Sequence, residues 1–145
     1  MGINTPKVLV GGLAAGLAMN VIGFVGNGYL LGPRMQAEMQ AAAPSLSMPM
    51  NATTITYAVV TQFIVGIILV VLYAAMRPRF GPGYATSAKA ALVIWLLGDL
   101  FYQDWVHAGL MTPTTFCLAA AVALVSLLVG AWVGGKLYTE PGATI

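Results

Sequence analysis

Charge is the scarcest feature of this sequence. Of 145 residues, six are Lys or Arg and four are Asp or Glu, so charged residues make up 7%. Soluble domains carry about 25%. With 59% hydrophobic residues and a mean hydropathy of +0.88, a chain this short cannot bury its apolar groups within itself and must set them against lipid. The net charge of +2 is too small and too scattered to hold nucleic-acid phosphates. One cysteine, Cys117, excludes an internal disulfide and a cysteine-based zinc cluster. One histidine and four acids leave no paired-carboxylate pattern and no serine–histidine arrangement, and the glycines form no phosphate-binding loop. The sequence therefore names no catalytic residues and leaves any cofactor unknown; an enzyme, metal or quinone site near His107 ranks well below the readings that follow.

What is abundant is long apolar runs. Four of them, at about 8–32, 57–76, 90–110 and 114–137, supply the ~20 residues that cross a hydrocarbon core. The first resembles a signal peptide at its start, but its apolar run continues to Leu31, and it is read as a retained helix. The expected fold is an all-α membrane protein, one domain over 1–145, built as a four-transmembrane-helix bundle. An outer loop spans 33–56 and an inner loop 77–89. Lys7, Arg77, Arg79, Lys89 and Lys136 fall on one side and only Arg34 on the other, which predicts both termini in the cytoplasm. The arginines of the inner loop suit lipid phosphates.

Gly32-Pro33 stops the first run, and Arg34–Ala43 (RMQAEMQAAA) is predicted to lie as a short interfacial helix on the outer surface. Met35, Met39, Met48 and Met50 cluster there, either as adaptable apolar contacts or as a thioether site for Cu(I). Asn51-Ala52-Thr53 matches a glycosylation acceptor, relevant only in a secretory pathway. Between the third and fourth runs Met111-Thr112-Pro113 predicts a tight antiparallel hairpin.

Two stripes of small residues stand out. Gly12, Gly16, Asn20, Gly23 and Asn27 recur at helical spacing in the first run, and Ser126, Gly130 and Gly134 in the last. Such stripes let helix backbones approach closely, within one chain or between copies, and the two are expected to pair with each other. A ligand groove along the first stripe is the second reading.

The third run is the least apolar. Asp99 lies about 14 Å from the start of its run at 1.5 Å per residue, near mid-membrane, and Tyr102, Gln103, Asp104 and His107 follow toward the outer face. Asn20 and Ser126 share the middle layer, while Asn27, Thr61 and Gln62 lie further out. An acid at that depth is costly unless it faces protein or water. Asp99 is read either as a packing post or as a proton, ion or ligand group, expected to hold a proton or to bond Asn20 or an internal water. Asp104 and His107 are expected to form an ion pair at the wet boundary; they do not make a metal site, which needs three or four ligands.

The stretch MNVIGFVGNGYLLGPRMQAEMQ resembles the opening of small uncharacterised bacterial four-helix integral membrane proteins, and LVSLLVGAWVGG is similar to their last helix. The resemblance implies the four-helix fold and a bacterial inner (plasma) membrane, and carries no activity. The expected function is a packing or assembly module, a homo-oligomer or an accessory subunit of a membrane complex, with a polar pocket open to the outer face. The alternative is a small transporter or channel for a proton, ion or small polar solute using Asp99. Its partners would be the lipid bilayer and other membrane subunits, with no nucleic acid.

Overall fold

Asn4 opens the first helix: its side chain accepts from the Lys7 amide, and Pro6 in the first turn needs no partner for a missing N–H. The computed structural model describes residues 3–45 and 51–139, and every regular element among them is helical. Helix α1 (Thr5–Gly23) runs on without a break into a π-helical segment, Phe24–Leu30, closed by a bond from Leu31 N–H to Gly26 O of 3.0 Å. Helix α2 (Gly32–Ala42) follows, then α3 (Ala52–Phe80), α4 (Tyr84–Tyr102), the single turn α5 (Asp104–His107) and α6 (Pro113–Leu137). Four helical stretches, Thr5–Leu30, Ala52–Phe80, Tyr84–His107 and Pro113–Leu137, are long and apolar enough to cross a membrane.

Four boundaries differ from the expected ones, each for a local reason. Helix α3 starts earlier because Asn51, whose side chain accepts from Thr54 N–H at 2.9 Å, is its N-cap. It also continues through Pro78, because a proline one turn from the end removes a single bond; Gly81, at φ 78°, makes the stop. Helix α4 begins at Tyr84 rather than near 90. Gly83 at φ 121° turns the chain, and the Thr86 hydroxyl bonds the carbonyls of Phe80 and Gly81. Helix α4 ends at Tyr102, short of 110; beyond it amides bond carbonyls three residues back (Val106 to Gln103, Gly109 to Val106). The hairpin turn is therefore longer than Met111-Thr112-Pro113. Met48 and Met50 lie outside the described residues, while Met39 is buried.

Helix α1 packs along α3 and α6, α4 packs along α6 and α3, and α1 and α4 sit on opposite corners. The core sets small residues beside a few large ones: Ala15, Ala90, Ala91 and Ala131 are at most 1% exposed, as are Met19, Leu69 and Val70, while Leu17, Val21, Leu100 and Val125 on the outside are 54–60% exposed. A soluble fold would not leave so many Leu and Val side chains outside; small residues at the helix contacts and Leu or Val outside suit helices that associate in lipid.

The α1 stripe does not meet the α6 stripe. A Cβ at Gly12 would lie 2.6 Å from Ile67 Cα, and one at Gly16 2.7 Å from Phe63 Cα, so this face of α1 lies on α3. Gly130 and Gly134 approach a different face of α1, at Met19 and Gly11, and the Ser126 hydroxyl donates to Met19 O at 3.3 Å. One helix thus offers two close-packing faces, because its small residues include Gly11 and Ala15 as well as the stripe. Asn20 joins α1 to α3, donating to Gly16 O and to Val59 O.

At the end where α1 begins and α6 ends, Asn4 N–H donates to the Tyr138 hydroxyl and Asn4 Nδ2 to Thr139 O. Tyr138 and Tyr73 meet edge to face at 5.9 Å, and the Arg77 guanidinium lies 5.4 Å and 5.8 Å from their ring centres. The Tyr73 hydroxyl accepts from Gly83 N–H. Between α4 and α6, Trp95 Nε1 donates to Ala120 O at 2.9 Å. Trp95→Phe is expected to cost about 1 kcal/mol, the usual worth of such a bond, read by unfolding in detergent with α4 helicity unchanged.

Candidate functional site

A cavity of about 100 Å³ lies between α1, α3 and α6, in the half of the bundle away from the termini. Its polar lining is Asn27, Gln62 and Ser126; Gly23 lies beside them, and Met19, Val65, Ala123 and Leu127 complete the wall. Asn27 arrives there on the π-helical segment. Seven residues after Asn20, a continuous α-helix would keep it on the stripe that faces α3. The wider π winding instead sets Gly26 directly against Val122 of α6 and brings Asn27 to the gap between α3 and α6.

The polar atoms of the cavity are incompletely satisfied. Asn27 Oδ1 is buried and has no hydrogen-bond partner among the described residues. Turning the amide over would bury its NH₂ there instead, so either end needs a partner. Gln62 makes no hydrogen bond among the described residues, and Ser126 donates its proton to Met19 O, leaving lone pairs free. No ionisable side chain of the described residues lines the space.

Of the residues singled out in the sequence, Asn27, Gln62, Gly23 and Ser126 converge on this cavity. Asn20 does not, because its amide is used between α1 and α3. Asp99, Tyr102 and Gln103 do not reach it either: they ride on α4, diagonal to α1, so Asp99 and Asn20 do not bond. Asp99 is half-buried and forms no hydrogen bond or ion pair among the described residues. The Tyr102 ring lies 5.9 Å from that of Trp105 and 6.2 Å from that of Phe116. Asp104 and His107 are both exposed on α5 and form no ion pair among the described residues; full exposure leaves such a pair little to gain. Among the described residues no three His, Cys, Asp or Glu side chains group as a metal site.

Sequence reasoning missed the polar knot that holds α2. The Glu38 carboxylate accepts from Thr112 N–H (2.9 Å), Thr112 Oγ1 (3.0 Å), Thr115 Oγ1 (2.7 Å) and Arg34 Nε (3.0 Å). Thr112 is the N-cap of α6, so an acid from a distant helix occupies the positive end of that helix. The Thr112 amide, then the Thr115 hydroxyl and Arg34, hold the Glu38 carboxyl at about 2, against an ordinary 4.5. Thr112-Pro113 was a legible cap signal; nothing in the sequence linked it to Glu38.

No protein-family model, curated protein or solved structure matches this chain.

Proposed function

We propose that this chain is a small bacterial plasma-membrane protein that holds a small polar solute in the cavity between α1, α3 and α6, entered from the outer face. The observation that carries this reading is the buried, unpartnered Asn27 Oδ1 at the cavity. Buried polar groups are almost always bonded, and an exception calls for a missing partner. The termini lie in the cytoplasm, because Lys7, Arg77, Arg79, Lys89 and Lys136 belong to their end of the bundle and Arg34 alone to the other. Lys89 over Phe80 and Lys136 over Trp132 suit cations placed at a membrane boundary.

Assembly through the glycine stripes has less support than their spacing suggested, since both stripes are occupied within one chain. A path that uses Asp99 would run along α4, apart from the cavity, so Asp99→Asn is expected to leave the cavity's accessibility unchanged.

Cysteine accessibility tests the reading. In a Cys117→Ala background, Gln62→Cys in intact cells is expected to react with a small, membrane-impermeant thiol reagent added outside. The reaction should be faster than at Cys placed for Val65, deeper in the same cavity. Modification only in inverted vesicles, or none in either, overturns the proposal.

A further inference from the structure

Resting on that reading, we infer that the cavity selects an uncharged solute bearing both a hydrogen-bond donor and an acceptor, of the class of short amides, urea and diols. Three properties of the site lead there. The first is size: about 100 Å³ is several times the roughly 10–15 Å³ that one water needs, room for a solute of a few heavy atoms.

The second is charge. No ionisable group of the described residues lines the space, and α4, which carries Asp99, stands on the opposite corner from α1. A bare ammonium or carboxylate placed there would lose its hydration with no counter-charge to replace it. A metal cation is no better served. It requires about six oxygens, whereas the side chains offer three, from Asn27, Gln62 and Ser126, and half of the wall is hydrocarbon.

The third is the pattern of donors and acceptors. Asn27 Oδ1 awaits a donor, the Ser126 oxygen accepts beside it, and the Gln62 amide presents both an N–H pair and a carbonyl. A ligand that only donates or only accepts leaves one of these unmatched. An amide or diol, with both functions two or three atoms apart, matches them together, and Met19, Val65 and Leu127 cover its hydrocarbon part.

The test is a titration of the full chain in lipid nanodiscs, with the side-chain amide signals of Asn27 and Gln62 followed by ¹⁵N NMR. The probes are acetamide and ethylene glycol (neutral), methylammonium chloride, sodium chloride and sodium acetate. Saturable shifts of both signals with the neutral probes only, weakened at least tenfold in Asn27→Asp, are the expected result. A saturable response to methylammonium, sodium or acetate overturns the neutral class and leaves a solute-binding cavity standing. No saturable response to any probe overturns both. The probe comparison is made on the unmodified protein, so it stands even where Asn27→Asp fails to fold.

Discussion

Gly66→Ala is expected to part α1 from α3, while the same exchange at Gly98 is expected to be neutral or stabilising. Alanine favours a helix over glycine by about 1 kcal/mol, and this gain acts at both positions. At Gly98 no atom lies within 4 Å of where the Cβ would go, so the gain stands alone. At Gly66 the Cβ would collide with Gly12 O and would lie 2.6 Å from Gly16 N and 2.9 Å from Gly16 Cα. All three are backbone atoms of a helix, and none can swing aside as a flexible side chain would. Overpacking of this kind costs roughly 3 kcal/mol, which outweighs the propensity gain. The reading is a denaturant midpoint in mild detergent, compared with a Gly12→Ala variant that meets the same seam from the other side. If Gly66→Ala and Gly98→Ala shift the midpoint alike, the close approach of α1 and α3 is refuted.

Removing the acid that bridges α2 to α6 is the second large effect, confined to one element. Glu38→Ala takes away the acceptor of four hydrogen bonds. Bonds to charged groups are worth about 1.5–3 kcal/mol each when well formed, and less beside water. Amide exchange across Gly32–Ala42 is therefore expected to quicken about tenfold or more, with exchange in α3 unchanged. Thr115→Val, which deletes one of the shortest of these bonds, should show the same pattern more weakly. The pH dependence has a definite sign. A carboxyl whose pKa is lowered on folding, from 4.5 to about 2, stabilises fully above 4.5 and loses that contribution as pH falls toward 2. Protection of α2 should thus be flat from about pH 5 to about pH 9. A step within that window would contradict the geometry around Glu38.

The sequence was most informative where composition and length decide the outcome. Four apolar runs became the four long helices, and the short helix after Gly32-Pro33 follows from its breaker and its helix-forming residues. Boundaries failed where a single polar side chain decides, as at the Asn51 cap, or where a glycine with positive φ does, as at Gly81 and Gly83. Part of the site was legible as polar residues: by depth Asn27 and Gln62 fall together and Ser126 one layer deeper, and all three line the cavity. Depth alone could not say which helices are neighbours. Asp99 and Asn20 share a layer but belong to helices on opposite corners, and only packing reveals that. The π winding that swings Asn27 into place has no signature in hydrophobic periodicity.

The diagonal placement of the helices also bears on how the molecule is made. Helix α1 leaves the ribosome before the others, yet one of its two contact faces belongs to α6, and Asn4 bonds residues 134 and 135 positions further along the chain. Until α6 is made, α1 has only its α3 side covered, and Met19 O lacks the Ser126 hydroxyl. Folding of the bundle therefore includes a closing step in which α6 locks onto α1, made well before it. A nascent chain arrested before α6 would leave that face of α1 bare.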